Sequence, residues 1–457
     1  MIRPQVLPRD LALPHLARAL DEAAMAEVFA DAVRAHGAQL EGCRIERIKY
    51  RPRRNCTLSY CLQVRDIAAN RVFEQRVAAR LCGGAGDAAR RAARAGEAQL
   101  LPSLAGPALR LLPALDMLTW WWPNDARLAA PRVLADPCAL RERVLPELVA
   151  ALSAGRGTLV DHQLEIVQYV PEQRLCARLD LRWRAGGNLM EQRVYAKASR
   201  EPDGATAHAI LRALQSSPAG HSGNLSTPRA LLWQPAFDLH WQQALPGRAL
   251  LDLTPAEAAR LAAPLGAQLA ALHGTPVAVA RELTPQSLRA RLTEVTEVLG
   301  DVLPGSRGAL QSAAASLSEG LFELVGVPVA TLHGDLHPRN ILADGAQLAL
   351  IDLDGLRRGP AVLELGAWIA DGMYRALLDG AAPARDGAAW QALLDGYAAA
   401  GGTRPRSRTL AWATAWNLLC QRAWRCVINL KPGRFAIAPR LIELASEVAH
   451  AHSLEAA

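Results

Sequence analysis

The sequence predicts an α+β protein in which two β-rich units precede a helical unit. Residues 45–80 and 164–197 resemble each other, which indicates an internal repeat of about 120 residues. From about residue 250 onward, Leu and Ala recur at helical spacing. A short mixed segment around residues 329–354 interrupts these helices. The predicted domains are therefore residues 1–155, 156–247 and 248–457.

Each copy of the repeat predicts the same order of elements. The first copy reads IERIKYRPRRNCTLSYCLQV and then EQRVAAR, and the second reads LEIVQYVPEQRLCARLDLRW and then EQRVYAK. Ala-rich stretches follow at 87–99 and 204–215, and then PALDMLTWWWPND (113–125) and PAFDLHWQQALPG (235–247). These patterns predict a strand, a tight turn, a strand, a loop, a strand, a helix and two more strands.

The part after residue 250 begins with a clear helix signal in TPAEAARLAAPLGAQLAALHG (254–274). Thr254 is a suitable N-cap, Pro255 occupies the first helical position and Gly274 marks the end. Helices are predicted to dominate from there to the C-terminus.

Composition excludes several classes of protein. Of 457 residues 51% are hydrophobic, yet no apolar stretch approaches the roughly 18 residues of a membrane span. The N-terminal MIRPQVLPRD lacks the apolar run of a secretory signal, and the eight Cys form no C-x-x-C pair. The net charge of +7 comes from scattered basic residues, whereas nucleic-acid binders usually cluster them. We therefore expect a cytoplasmic protein that binds neither membrane nor nucleic acid.

The segment VATLHGDLHPRNILAD predicts a loop between two apolar runs, and LALIDLD predicts a buried strand followed by carboxylates. One loop can present both Asp335 and Asn340, and Asp352 arrives from the neighbouring strand. Mg²⁺ prefers carboxylate and amide oxygens together with phosphates and waters. Phosphoryl transfer mainly requires positioning and charge neutralisation. The pattern therefore predicts a magnesium-dependent phosphoryl-transfer site; the alternative is that these acids only cap turns.

Lysine is rare in this chain. Among 51 basic residues only Lys49, Lys197 and Lys431 are lysines, and all others are arginines. Lys197 ends the EQRVYAK strand, and a lysine kept at one position in an Arg-rich chain indicates a need for a compact ammonium group.

The run LHGDLHPRN followed by IDLD resembles the aminoglycoside phosphotransferase and choline kinase group, which is similar in fold to protein kinases. The likeness extends from about residue 161 to the end, with weaker matches at 241–252, 265–277 and 359–368. It implies a protein-kinase-like two-lobed fold with a β-rich N-lobe and a helical C-lobe. In this chain a degenerate duplicate of the N-lobe precedes that fold.

The resemblance also implies roles for individual residues. Asp335 would be the catalytic base, His333 would brace its loop, and His337 would touch the γ-phosphate or be merely structural. Asn340 and Asp352 would hold Mg²⁺, with Asp354 either a second acid near the metal or a solvated carboxylate. The nucleotide would be bound by Lys197 at its α/β-phosphates and by backbone groups near the adenine at Gln243, Ala244 and Leu245.

The sequence departs from the family pattern in three places. No G-x-G-x-x-G is present, so PEQR (171–174) is the candidate turn over the phosphates. The helix GATAHAILRALQ lacks the Glu that usually pairs with the nucleotide lysine, and Glu201 is the nearest candidate. Glu364 stands where the family has an Asp of structural role.

The first repeat carries Arg80 where the second carries Lys197. We expect this repeat to be a cap or regulatory module that binds no nucleotide.

The expected activity is ATP-dependent (or GTP-dependent) transfer of the γ-phosphate to a hydroxyl of a small molecule: a sugar, an amino alcohol or an aminoglycoside-like compound. Residues 374–457 contain ten Arg and Lys against six Asp and Glu, which disfavours polycationic acceptors and suits neutral or anionic ones. Trp412 and Trp416, four residues apart, would either stack on a sugar or pack in the core. The alternatives are a pseudokinase-like binding or scaffold protein and a maltokinase-like sugar kinase with an N-terminal cap.

Overall fold

The computed structural model describes residues 8, 10–84, 86–95, 100–383, 387–430, 433–451 and 454. Over these residues the chain forms two compact units. The first unit comprises Met1–Gly204, Leu231–Trp241 and Val427–Phe435, and the second comprises Ala205–Ala230, Gln242–Cys426 and Ala436–Ala457.

The first unit contains two five-stranded sheets with the same strand order. One sheet, in the order β1-β2-β3-β5-β4, consists of β1 (Ala38–Arg51), β2 (Asn55–Asp66), β3 (Arg71–Cys82), β4 (Leu109–Leu112) and β5 (Met117–Trp121). The other, in the order β6-β7-β8-β10-β9, consists of β6 (Gly157–Val170), β7 (Arg174–Ala185), β8 (Asn188–Ser199), β9 (Ala230–Gln234) and β10 (Leu239–Gln243).

The predicted repeat is present in the structure as well as in the sequence. The first strands of the two sheets have 14 residues each, and the second and third strands have 12 each. A 3₁₀ turn precedes both β5 and β10, and each turn ends in an aspartate of positive φ, Asp116 at 45° and Asp238 at 49°. The α+β class with a duplicated β-rich region is confirmed.

The duplication extends upstream of the segments that resemble each other in sequence. The Asp10 carboxylate accepts hydrogen bonds from the Tyr50 hydroxyl (2.9 Å) and from a backbone N–H in the β1–β2 turn (2.8 Å). The Asp125 carboxylate makes the same two bonds, with the Tyr169 hydroxyl (2.6 Å) and the N–H of Glu172 (2.9 Å) in the β6–β7 turn. Each sheet therefore carries its own aspartate, which fixes the turn between its first two strands.

The helices of the first unit precede the first sheet, lie between its strands β3 and β4, or connect the two sheets. They are α1 (Leu16–Ala19), α2 (Glu22–Arg34), α3 (Asp87–Ala95), α4 (Ala130–Ala135), α5 (Pro137–Ala139) and α6 (Leu145–Ser153), with a π-helical turn at Leu140–Val144. The helix predicted over 87–99 is observed to Ala95, and residues 96–99 lie outside the described residues.

The first unit is held together by apolar packing on both faces of the first sheet. Phe29 of α2 contacts Tyr60 and Trp121 edge-on, at ring-centroid distances of 5.1 and 5.8 Å. The neighbouring Trp120 belongs instead to a buried cluster that includes residues of α4–α6 and of the second sheet. Since successive strand residues face opposite sides of a sheet, β5 contributes to two cores. Trp122 contacts Tyr169 at 5.2 Å and joins the two repeats.

The second unit is mainly helical and contains two small sheets. These are β11-β13-β14, formed by β11 (Arg248–Ala249), β13 (Ile341–Asp344) and β14 (Gln347–Leu350), and β12-β15, formed by β12 (Val329–Leu332) and β15 (Arg357–Pro360). The helices that follow β8 are α7 (Gly204–Gln215), α8 (Pro218–Ser222), α9 (Pro255–Arg260), α10 (Ala262–His273), α11 (Pro285–Val302), α12 (Arg307–Glu319), α13 (Val362–Leu378), α14 (Ala388–Ala399), α15 (Ser407–Asn417), α16 (Trp424–Asn429) and α17 (Ala438–His450).

The helix predicted over 254–274 is divided in two. Thr254 forms the expected capping box with Glu257, and Gly274 is the C-cap. The break falls at Leu261, between α9 and α10. Pro264 explains it, because proline has no N–H to donate to the carbonyl four residues earlier.

Close helix contacts in the second unit depend on glycine. A Cβ built on Gly266 of α10 would lie 2.1 Å from the Leu393 carbonyl oxygen of α14, and one on Gly366 of α13 would lie 2.7 Å from the backbone of Ala413 in α15. Among the helices that the structure describes, none combines the length and hydrophobicity needed to cross a membrane.

Candidate active site

The loop that contains Asp335 leaves β12 at Leu332 and enters β13 through a 3₁₀ turn at Pro338–Asn340. Its conformation requires Gly334, whose φ of +79° lies in the left-handed region. A Cβ at this position would also lie 2.3 Å from the Gly355 carbonyl oxygen and 2.4 Å from Nε of Arg357. The loop can therefore pass close to the segment before β15 only because residue 334 has no side chain.

Glu364 of α13 holds the beginning of this loop. One carboxylate oxygen accepts the N–H of His333 at 2.8 Å, and the other accepts the N–H of Gly334 at 2.9 Å. His273 of α10 lies 3.0 Å from the first oxygen through its Nε2, and its other ring nitrogen bonds the Tyr397 hydroxyl at 2.9 Å. Glu364 is only 3% exposed. It thus anchors two consecutive backbone amides of the loop to the helices behind it.

Burial alone would raise the pKa of the Glu364 carboxyl. The hydrogen bond and charge of His273, followed by the charge of His333, lower that pKa below its usual value instead. The carboxyl is therefore ionised and can accept from several donors at once.

The strand pairing brings Asn340 and Asp352 to the same end of a hairpin. Ile341 pairs with Leu350 in the β13–β14 ladder, and the next bond runs from the N–H of Ile351 to the Asn340 carbonyl at 2.9 Å. Asp352 follows directly, with a left-handed backbone (φ 60°, ψ 50°) at the start of a 3₁₀ turn that contains Asp354. Both aspartates are half-buried.

His333 links the loop to this hairpin. It is fully buried, and its Nε2 lies 2.9 Å from the Ile351 carbonyl oxygen, one residue before Asp352. The Asn340 side-chain amide donates to the Asp335 carbonyl at 3.0 Å. These two bonds connect the backbone around Asp335 with the backbone around Asn340 and Asp352.

Arg425 and His337 face the Asp335 carboxylate. Arg425 donates from a terminal nitrogen at 2.9 Å, and Nε2 of His337 lies 4.0 Å away. Burial would raise the pKa of Asp335, but Arg425 first and His337 second lower it well below its usual range. Burial lowers the pKa of His337 in turn, partly offset by Asp335 and Asp371. Asp335 is therefore a carboxylate anion whose side chain is 27% exposed.

Arg357 supports the loop from β15. Its guanidinium donates to the Gly334 carbonyl at 2.7 Å and to the Gly355 carbonyl at 3.3 Å. Burial first, and the neighbouring Arg281, lower its pKa.

The residues predicted to bind the nucleotide lie in other parts of the chain. Lys197 is half-buried near the end of β8 in the first unit and pairs with Cys176 of β7. Glu201 is exposed just beyond β8, before α7 begins at Gly204. In the second unit, Gln243 ends β10, its N–H bonds the Arg229 carbonyl at 2.9 Å, and its side chain accepts from Arg229 at 3.0 Å.

Ala244 and Leu245 form the half-buried start of the connection to β11. This connection passes close to β13 at Gly247, where a Cβ would lie 2.5 Å from the Ala343 carbonyl oxygen. Lys431, the third lysine, lies outside the described residues.

Several residues around Asp335 were not among the predicted site residues. They are Arg425, Arg357 and His273, together with the carboxylate of Glu364, which binds the loop backbone. An arginine carries no distinguishing signal in a chain where nearly every basic residue is Arg. His273, a single histidine at the end of an apolar helix, was a usable signal for a buried polar partner.

The chain was compared with known sequences and structures. No curated protein sequence matches the chain. A structure of a thermostable mutant of the aminoglycoside phosphotransferase APH(4)-Ia with ADP and hygromycin B is 13% identical and covers 66% of this chain and 98% of its own (TM-score 0.43). A choline/ethanolamine kinase family protein from Mesorhizobium loti is 18% identical (69% and 94%, TM-score 0.41). Choline kinase LicA from Streptococcus pneumoniae is 12% identical (66% and 98%, TM-score 0.43).

A family model matches most of β8, the loop with Asp335 and most of the helical part. It was built for the phosphotransferase enzyme family, and it matches residues 190–408. The motif LHGDLHPRN and the following IDLD both lie inside this range. The chain is therefore similar to the phosphotransferase enzyme family over residues 190–408, which is slightly less than half of its length.

Proposed function

We propose that this protein is a small-molecule kinase that transfers the γ-phosphate of ATP, or of GTP, to a hydroxyl group. The observation that carries this proposal is the placement of Asp335. Its carboxylate is ionised, partly exposed and held on a loop that Glu364, His333 and Arg357 fix from three directions. Such a carboxylate can accept the proton of an acceptor hydroxyl as the phosphoryl group is transferred.

The residues near Asp335 fit a magnesium ion. Asn340 donates through its amide nitrogen to the loop backbone, so its amide oxygen is the atom with which it can bind a cation. Together with the carboxylates of Asp352 and Asp354 it supplies the hard oxygen ligands that Mg²⁺ prefers. When bound, Mg²⁺ would neutralise charge on the nucleotide phosphates. We assign Asn340 and Asp352 as ligands, with Asp354 as a further acid beside them.

The proposed nucleotide contacts follow from residue chemistry. Lys197 provides a compact ammonium group for the α/β-phosphates. The backbone of Gln243, Ala244 and Leu245 provides hydrogen-bonding groups for the base. His337, within 4.0 Å of Asp335, is assigned to the γ-phosphate side of the catalytic loop. Glu201 is the proposed partner of Lys197.

The proposal is tested by a phosphate-transfer screen. Purified full-length protein with Mg²⁺ and ATP or GTP is incubated with sugars, sugar phosphates, sugar acids, amino alcohols and aminoglycosides, and nucleoside diphosphate is measured. We expect diphosphate formation that depends on both Mg²⁺ and one acceptor class. Binding of nucleotide without turnover over the whole panel would instead favour the pseudokinase-like alternative, to which the missing helix Glu also points.

The first repeat is proposed to support the second without binding nucleotide itself. Arg80, the counterpart of Lys197, forms an ion pair with Glu172. Both side chains are about nine-tenths buried, at 10% and 9% exposure, and Arg127 adds a contact to Glu172 at 3.5 Å. Glu172 lies in the PEQR turn between β6 and β7, with φ of +62°. The guanidinium that would otherwise face a nucleotide is thus used to hold the turn of the neighbouring repeat.

Titration with Mg²⁺-ADP should therefore give one nucleotide per chain. Replacing Arg80 with Met should leave this stoichiometry at one but lower the stability of the first unit, because Glu172 remains buried without its main cation. We expect a loss of about 3 kcal/mol for such a buried pair. Calorimetric titration and chemical denaturation measure the two effects.

The matched control is Lys197→Met, which removes the corresponding cation from the second repeat. It should weaken nucleotide binding while Glu172 keeps its partners. Two nucleotides per wild-type chain, or loss of the bound nucleotide in Arg80→Met, would contradict the assignment.

A further inference from the structure

A pocket beside Asp335 lies entirely within the second unit. Its enclosed space is about 40 Å³ and it opens widely to solvent, so it can receive one small group of a bound molecule and not a whole substrate. Asp335 and Arg357 contribute to its lining. Residues around the end of α15 and the beginning of α16 also line it, namely Trp416, Asn417, Gln421, Arg422 and Arg425. A molecule in this pocket would lie against the proposed catalytic carboxylate.

The backbone between α15 and α16, which supplies several of these lining residues, is irregular. Residues Leu418–Ala423 form a π-helical turn between α15 and α16. π-Helical turns inside α-helices are rare and frequently occur at functional sites, where the extra residue changes the direction of side chains. Here the turn carries Gln421 and Arg422, and Arg425 follows immediately after it. All three lie beyond residue 408, where the family match ends.

The side chains that line the pocket include three arginines and only two acids. Arg357 donates to backbone carbonyls, and Arg425 has Asp335 as its carboxylate partner. Arg422 binds Asp371 at 3.0 Å, but Asp371 is also bound by Arg375 at 2.5 Å. Glu364, the other lining acid, is occupied by His273 and two backbone amides. The three arginines therefore exceed the carboxylates that they share.

Two buried donors in the pocket wall have no acceptor among the residues that the structure describes. These are Nε of Arg422 and Nε1 of Trp416, in side chains that are 8% and 3% exposed. Buried N–H groups are almost always hydrogen-bonded in native proteins, because leaving them unsatisfied costs free energy. A ligand with anionic oxygens would balance the arginines, and it would satisfy Nε of Arg422 if that side chain turned toward the ligand on binding.

We propose that the phosphoryl acceptor is a small hydroxyl compound that also carries an anionic group, a phosphate or a carboxylate, and that Arg422 and Arg425 bind this group. This proposal rests on the proposed kinase function and specifies its substrate class. When the anionic group binds, Arg425 exchanges its contact with Asp335 for the ligand. The Asp335 carboxylate is then available to accept the hydroxyl proton of the same molecule.

The experiment compares matched acceptors with the full-length protein. Hexoses, their 6-phosphates, the corresponding aldonic acids and aminoglycosides are each tested for phosphate transfer from Mg²⁺-ATP. Binding of each compound is measured separately by calorimetry with saturating Mg²⁺-ADP. We expect binding and turnover only with the phosphorylated or the acidic members, and comparison of these two arms distinguishes phosphate from carboxylate.

The test variant is Arg425→Gln, because Arg425 is 36% exposed and its replacement is compatible with folding. It should raise both KM and the dissociation constant for the anionic acceptor at least tenfold. Arg425→Lys should restore part of this loss. Arg422→Lys is a second variant, which keeps a cation beside Asp371. It should also raise KM and the dissociation constant for the anionic acceptor. Arg440→Gln on α17, where Arg440 is 41% exposed and pairs with Glu443 and Glu447, is the control and should change neither value.

The outcomes separate the two proposals. Turnover of a neutral or cationic acceptor whose KM is unaffected by Arg425→Gln would overturn the anionic site while leaving the kinase function intact. Absence of turnover with every acceptor, combined with anion binding that Arg425→Gln weakens, would overturn the kinase function and support the anionic site. Equal binding of neutral and anionic members would overturn the anionic site.

Discussion

Replacement of Asp335 with Asn is expected to lower kcat by a factor of about 10²–10⁴, the usual contribution of a positioned general base. The amide keeps the size of the side chain but cannot accept a proton from the acceptor hydroxyl. Nucleotide affinity should be unchanged, because the assigned nucleotide and magnesium residues are Lys197, Asn340 and Asp352. Initial rates with the acceptor found by the screen, and a titration with Mg²⁺-ADP, measure the two quantities.

The control for this variant is Asp395→Asn, the same chemical change at a side chain that is 63% exposed and pairs with Arg404. It should retain full activity. Lys197→Met should show the opposite pattern from Asp335→Asn, with nucleotide binding weakened first. If Asp335→Asn turned over at the wild-type rate, the base would have to be another residue and the proposed mechanism would be wrong.

Replacement of Glu364 with Gln is expected to destabilise the second unit and to reduce turnover together. The two carboxylate oxygens receive the N–H groups of His333 and Gly334 and lie against His273. A glutamine offers only one acceptor atom, so its NH₂ group must face one of these donors in a site that is 3% exposed. Disrupting a buried, hydrogen-bonded charge costs about 3–5 kcal/mol.

Chemical denaturation and kcat measure this prediction, with Glu443→Gln as the matched control. Glu443 is 53% exposed and pairs with Arg440 three residues earlier, so its replacement should change stability by less than about 1 kcal/mol. Wild-type stability in Glu364→Gln would show that the loop does not depend on this carboxylate. Wild-type kcat despite reduced stability would show that the loop keeps its conformation without it.

The β-rich part of the fold was predictable because its information is local. Alternation of apolar residues and turn signals such as PEQR predict strands directly, and the second copy repeats the prediction independently. The structure confirmed the same strand order in both sheets. The sequence did not show that the repeat begins upstream of its first strand. Asp10 and Asp125 are recognisable as equivalent residues only because each binds the corresponding tyrosine and turn amide in the structure.

The sequence predicted that the C-terminal part of the chain is helical, but it did not predict where the helices are interrupted. The capping box at Thr254 and the stop at Gly274 were readable, whereas the division at Leu261 depends on one proline. The π-helical turn at Leu418–Ala423 carries no comparable signal. It becomes apparent only when the neighbouring helices are in place.

By itself the sequence determined the duplicated strand pattern, the loop with Asp335 and Asn340, and the hairpin that ends before Asp352, because each is encoded within a few consecutive residues. Only the tertiary structure decided which groups surround Asp335. Arg425 reaches it across 90 residues of chain, and His273 reaches Glu364 across 91. Such contacts are set by how helices pack, and close packing between elements distant in the chain leaves no periodic pattern in the sequence.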